Sequence, residues 1–229
     1  MKDFSKLEKK LDIEFKDKDL LMQAFCHRSY LNENPKFHLE HNERLEFLGD
    51  AVLELAVTES LYERYPKENE GELTSWRAAL VNSESLARTA KELDFNDFLL
   101  LSRGEGKDTG KARNFILANA FEAFIGSLYL DQGFKPCLEF IKKHLLIQLS
   151  EIIKKGLFRD SKSHFQEEAQ EKAGITPIYK VLHESGPDHA KHFEIGVFLG
   201  QNIVAQGEGF SKQEAEAQAA ANALKAKKW

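Results

Sequence analysis

From residue 5 to about 155, apolar residues recur at steps of three and four, the spacing of one face of a helix. KDLLMQAFCHRSYL, RLEFLGDAVLELAVTESLYERY, ELTSWRAALVNSESLARTAKEL and NFILANAFEAFIGSLYL all carry it. Between them, LNENPKF, YPKENEGE and SRGEGKDTGKAR are rich in turn formers. No stretch alternates convincingly as a strand does, so 1–155 is predicted to be an all-helical domain. The pattern changes at GLFRDSKS, and 156–160 reads as a linker. Beyond it, 161–229 reads as a small α+β module in the order α-β-β-β-α. SHFQEEAQEKAG forms its first helix. The strands are TPIYKVLHES, KHFEIGVFL and NIVAQGEG, parted by Gly186-Pro187-Asp188 and Gly200-Gln201. The last helix, SKQEAEAQAAANALKAKK, opens on the capping box Ser211-x-x-Glu214.

Composition narrows the class. A chain of 229 residues is long enough for one large domain or two modest ones, and to bury a real core. With 42% hydrophobic and 30% charged residues it has the make-up of a soluble globular protein, which argues against long disorder. The first residues, MKDFSKLEKKLDIEF, lack the apolar run of a signal peptide, and no later stretch is predicted to span a membrane. Cys26 and Cys137 sit among apolar neighbours and form no CxxC, which predicts two buried thiols and a reducing, cytoplasmic setting. The net charge of −5 gives no sign of a nucleic-acid partner, so any such partner must be sought in local patches.

The chemistry is concentrated in HNERLEFLGDAVLEL, residues 41–55. Its apolar positions run almost all the way round, as in a buried helix. Yet Glu43, Glu46, Asp50 and Glu54 fall within an arc of roughly 80° at about 100° per residue. Phe47 and Ala51 border that stripe on one side, Leu53 and Val57 on the other. An exposed polar face, acids paired with bases such as Arg44, Arg77 and Arg88, or an ordinary helix with a misleading pattern would each account for it. A second helix favours a site. In NFILANAFEAFIGSLYL, Asn119 and Glu122 stand three apart on one face of an otherwise apolar segment. If the two helices pack face to face, Glu46, Asp50, Asn119 and Glu122 converge. Several carboxylates at close range need a counter-charge. An all-oxygen set suits Mg²⁺, with Mn²⁺ as a substitute. The Glu-x-x-His of redox-iron bundles is absent from the sequence, which points to hydrolysis or phosphoryl transfer.

NERLEFLGDAVLEL resembles the signature of the ribonuclease III family. CHRSYLNENP upstream, and EGELTSWRAALVN and ILANAFEAFIGSLYLDQG downstream, follow in the family's order. The C-terminal module is similar to the double-stranded-RNA-binding domain of bacterial members. The resemblance implies an all-α ribonuclease III endonuclease domain followed by that α+β domain. It also implies a cytoplasmic homodimer that cuts double-stranded RNA with Mg²⁺, leaving 5′-phosphate and 3′-hydroxyl ends. Processing of ribosomal RNA precursors and other structured RNAs would be its work. Glu46, Asp50 and Glu122 match the acidic metal ligands, with Asp50 and Glu122 as the catalytic pair. Glu43 matches a supporting acid, Glu70 an acid that reaches in from the adjoining loop, and Phe47 an aromatic that plugs a socket in the partner subunit. Core packing is the plain alternative for Phe47. Where the family usually has a fourth acid, this chain has Asn119, whose amide oxygen can still ligate a hard cation but brings no charge. The expected consequence is weaker metal binding; the alternative is a catalytically impaired double-stranded-RNA-binding protein.

From Asp160 onward there are eight lysines against ten acidic residues, so RNA affinity has to come from placement. Ser211 and Lys212 open the last helix, where N–H groups and a lysine suit phosphates. His189, in the loop after Gly186, is placed to reach a minor groove, and Gln166 and Gln170 a second one. Each alone is also a capped helix, a turn or a solvated face; their order and separation carry the likeness. Gln213 stands where family members often have a second lysine. In SRGEGKDTGKARN three glycines alternate with Lys107, Lys111 and Arg113. The loop lacks the GxxxxGK[ST] form, so no nucleotide cofactor is expected. A mobile loop carrying basic groups towards RNA is the reading that fits it.

Overall fold

The computed structural model describes residues 2–155, 161–187 and 191–229. The expected linker at 156–160, and His189, lie outside the described residues. The chain divides into two compact units, Met1–Phe158 and Arg159–Trp229.

The first unit is helical: α1 Ser5–Leu11, α2 Lys18–Ala24, α3 Arg28–Glu33, α4 Glu43–Arg64, α5 Glu70–Val81, α6 Ser83–Glu92, α7 Lys111–Gln132, α8 Phe134–His144 and α9 Leu149–Lys155. Polar residues begin several of these helices by satisfying orphan N–H groups. Asp17 Oδ1 accepts from the N–H of Asp19 at 2.9 Å. Asn69 Oδ1 accepts from Glu72 N–H, and Asn82 Oδ1 from Ser85 N–H, both at 2.9 Å. Helix α7 is the centre of the unit, with Ile116–Leu128 buried on nearly every side except at Asn119 and Glu122. Phenylalanines fill the space around it; Phe25 and Phe95 stand 5.0 Å apart edge-on, and Phe124 and Phe140 5.0 Å apart.

Helices α4 and α7 touch backbone to backbone. A Cβ added at Gly49 would lie 1.8 Å from the carbonyl oxygen of Glu122, and one added at Gly126 would lie 2.1 Å from that of Leu45. Only glycine permits this approach, and glycine inside a helix otherwise costs stability.

The buried-all-round reading of α4 is corrected here. Leu45, Val52, Leu53, Ala56, Val57 and Leu61 face the core. Phe47, Leu55 and Tyr62, however, are 83%, 58% and 74% exposed, and Ala51 is exposed beside them. The carboxylate stripe therefore runs along the border between a buried and an uncovered apolar face. Phe47 does not pack in the core of its own chain.

The loop before α7 also differs from expectation. Arg113 Nη2 donates to the carbonyls of Glu105 at 2.6 Å and Asp108 at 3.1 Å. Arg103 N–H donates to the Glu33 carboxylate, and Ser102 N–H to Ser29 Oγ at 3.1 Å. The CHRSYLNENP segment thus holds this loop in place, and Arg113 is engaged within it. Lys107 and Lys111 remain exposed.

The second unit has α10 Ser161–Ala173, strands β1 Ile178–Ser185, β2 His192–Leu199 and β3 Asn202–Gly209, and α11 Lys212–Lys227. The strands form one antiparallel sheet in the order β1-β2-β3, with Val181 opposite Ile195 and Ile195 opposite Gly207. Alternate residues of β2 (Phe193, Ile195, Val197, Leu199) are buried, and Val197 and Leu199 share a core with Phe165 of α10 and Ala219, Ala220 and Ala223 of α11. Alanine on α11 and Gly207 on β3 let helix and strand lie close, since a Cβ at Gly207 would sit 2.2 Å from Ala219 N.

Candidate active site

The α4–α7 crossing determines which polar groups meet. Asp50 follows Gly49 directly and Glu46 lies one turn earlier, while Glu122 is the residue whose carbonyl Gly49 abuts. Burial, and after it the charges of Asp50 and Glu46, pushes the Glu122 carboxyl up to about 8. Glu46 is raised as well, first by burial, then by Glu43 and Asp50, while a hydrogen bond from Asn119 acts in the opposite sense. The structure thus brings Glu46, Asp50, Asn119 and Glu122 together. The Asn119 amide thus partly offsets the upward push that burial and the neighbouring acids exert on the Glu46 carboxyl.

Glu43 stands at the edge of the group. Arg28 Nη1 lies 3.6 Å from Glu43 Oε1 and His41 Nδ1 3.8 Å from Oε2. Those flanking bases are not the ones considered from the sequence. Arg77 donates instead to Thr58 Oγ1 at 3.0 Å, and Arg88 to Gln148 Oε1. Glu70 is exposed in the first turn of α5, and its charge is not among those acting on Glu46 or Glu122.

Among the described residues, no three acidic, histidine or cysteine side chains are gathered into a ready-made metal cage. The donor set itself fits a hard cation, because three carboxylates and one amide supply only oxygen ligands from two rigid helices. The two cysteines take no part. Both are free and buried, with burial pushing Cys26 up to about 11 and Cys137 to about 12.

Gly49 and Gly126 are the functional residues that the sequence reading missed. Their signal was present, since each interrupts a strong helical pattern with a residue poorly suited to one.

In the second unit, Phe165 and Ala169 turn inward and leave Gln166 and Gln170 exposed on α10. Ser211 caps α11, its Oγ accepting from Glu214 N–H at 3.1 Å. The box closes differently from the usual form: Glu214 Oε2 accepts from the N–H of Phe210, at 3.0 Å. Lys212 is exposed, with its ammonium 5.6 Å from the centroid of the Phe193 ring.

Comparison with known proteins covers both units. Residues 17–149 match the family described as Ribonuclease-III-like, and residues 161–227 the Double-stranded RNA binding motif. A protein named Ribonuclease 3 from Bacillus cereus is 47% identical over 97% of this chain and 90% of its own length. One of the same name from Borreliella burgdorferi is 44% identical over 97% and 90%. The nuclease domain of ribonuclease III from Campylobacter jejuni has a similar structure. It superposes with a TM-score of 0.58 at 42% identity, over 65% of this chain and 97% of that one.

Proposed function

The chain belongs to the ribonuclease III family and is an endonuclease of double-stranded RNA, and we propose that Glu46, Asp50, Asn119 and Glu122 form its cutting centre with Mg²⁺. The observation that carries this reading is the Gly49–Gly126 crossing, which sets the α4 acids against Glu122, whose carboxyl is pushed up to about 8 by burial and then by the charges of Asp50 and Glu46. When bound there, Mg²⁺ supplies a water of lowered pKa and offsets charge building up on the phosphodiester.

The chain's own part is to hold and orient. Glu46, Asp50 and Glu122 would offer carboxylate oxygens to the cation, and Asn119 its amide oxygen. Glu122 would hold the cation as a carboxylate, since a positive charge beside it would offset the burial and the neighbouring charges that raise it. Arg28 and His41 restrain Glu43 at the rim. In the second unit, Gln166, Gln170, His189, Ser211 and Lys212 contact the duplex, a mode of binding that reads shape through phosphates and 2′-hydroxyls.

Four finer points belong to the same reading. The products carry 5′-phosphate and 3′-hydroxyl ends. Ribosomal RNA precursors and other structured RNAs are the substrates. The protein acts as a homodimer through Phe47, supported by the uncovered apolar face around that ring. The working compartment is the cytoplasm, which agrees with two free buried thiols and with no helix, among the described residues, long and apolar enough to cross a membrane.

The test is cleavage of a long labelled RNA duplex across a Mg²⁺ titration, with Glu122→Gln and Asn119→Asp alongside. The expected result is cutting by the parent protein, loss in Glu122→Gln and a lower Mg²⁺ requirement in Asn119→Asp. Binding without cutting at every Mg²⁺ and Mn²⁺ level would favour the impaired binder instead, and recovery in Asn119→Asp would assign the defect to the amide.

A further inference from the structure

One large aromatic on α7 is not used by the fold. Phe115 is 58% exposed on a helix whose other apolar residues are almost all buried until its C-terminal end. Its position is not random. At about 100° per residue, Lys111, Phe115, Asn119 and Glu122 fall within an arc of roughly 80°, so the stripe that carries the α7 half of the cutting centre continues past Asn119 to the ring and then to the ammonium. At 1.5 Å per residue, Phe115 lies about 6 Å and Lys111 about 12 Å along the axis from Asn119. Lys111 is exposed, and an exposed Lys91 donates to Asn114 Oδ1 at 2.6 Å beside it. The N-terminal end of α7 therefore joins an uncovered ring to two cations, and the helix dipole adds to their charge.

We propose that Phe115 is a substrate-contacting residue. Its ring packs on the ribose face of a nucleotide flanking the scissile phosphate, and Lys111 meets a phosphate further along the same strand. The proposal rests on the reading of Glu46, Asp50, Asn119 and Glu122 as the cutting centre. A strand that places a phosphate at Glu122 and runs along this stripe meets the ring next and the lysine after it. An RNA duplex suits the surface because its minor groove is wide and shallow and displays sugars, whereas stacked bases are out of a ring's reach. A purely protein partner would not call for the lysines, and a purely electrostatic contact would not call for the ring.

Full-length protein and a defined labelled RNA duplex test this. Cleavage rates over a range of duplex concentration would be compared for the parent, Phe115→Ser, Phe115→Tyr and Lys111→Gln, with thermal stability and sedimentation as controls. For Phe115→Ser, the expected change is a rise in KM of about 5-fold, the scale of losing one buried apolar contact, with kcat within a factor of about 2. Phe115→Tyr should restore the parent value. Lys111→Gln should flatten the salt dependence of KM by about one unit of slope. An unchanged KM in Phe115→Ser, in a parent that cuts, would overturn the contact and leave the cutting centre standing. A parent that does not cut would overturn both. A rise in KM that tracks weakened self-association would assign the ring to a protein interface and overturn the RNA contact.

Discussion

Glu122 is a half-buried carboxyl on an otherwise apolar helix. Its carboxyl is pushed from 4.5 to about 8, so the folded protein keeps a proton that the unfolded chain releases between those values. Stability therefore falls as pH rises from about 4.5 through about 8, because over that window the folded state binds more protons than the unfolded one. Metal-free protein should show it directly. Between pH 5 and pH 8.5 the melting temperature of the parent should drop relative to Glu122→Gln, whose amide does not titrate. The expected gap is several degrees, widening as pH rises through that window. Parallel curves for the two proteins would contradict the buried-carboxyl account. The sequence showed that Glu122 was an isolated polar residue on an apolar helix, but not that it would hold a proton at neutral pH. That depends first on how deeply the fold buries it, and then on Asp50 and Glu46, more than seventy residues away in the chain.

Helices α4 and α7 owe their geometry to two glycines. In Gly49→Ala the new methyl would meet the Glu122 carbonyl at 1.8 Å, and backbone cannot give way as a flexible side chain does. The helices must separate, at a cost of about 1–3 kcal/mol. Thermal denaturation should report that loss, and duplex cleavage should fall with it as Asp50 moves off Glu122. At the start of α11, Ser211→Ala removes the acceptor for Glu214 N–H and should cost about 1 kcal/mol, weakening duplex binding at all sequences alike. Chemical denaturation and a binding isotherm check both effects. Cap and helix were readable from Ser211-x-x-Glu214, because a capping residue acts within four positions of itself. The engagement of Glu214 with Phe210 was not, since it follows from how the preceding turn leaves β3.

The two units are separately cored, and the first leaves a broad apolar face uncovered. Phe47, Ala51 and Leu55 follow one another at four-residue steps on α4, with Tyr62 two turns on. Apolar rings this exposed mark an interaction surface. Phe47→Arg should convert a self-associated protein into a monomer in sedimentation while leaving its melting transition cooperative, since the side chain takes no part in the core. Unchanged self-association would remove Phe47 from the interface. Because Phe47 directly follows Glu46, the monomer should also cut more weakly.

Local pattern was enough for the helices, the three strands, the cap at Ser211 and the family signature, because each of these depends on residues a few positions apart. The meeting of Glu46 and Asp50 with Asn119 and Glu122 was foreseeable in outline, since both helices carried polar residues where apolar ones were expected. Three things were decided only when distant segments packed. Arg113 turned inward to the carbonyls of Glu105 and Asp108 and not outward to a ligand. One face of α4 stayed open, although its composition matched that of a buried helix. The Asn119 amide came to lie where it opposes the upward push on the Glu46 carboxyl. In each case the sequence specifies which groups are present, but desolvation and charge act through space, and only the packed chain says which neighbours supply them.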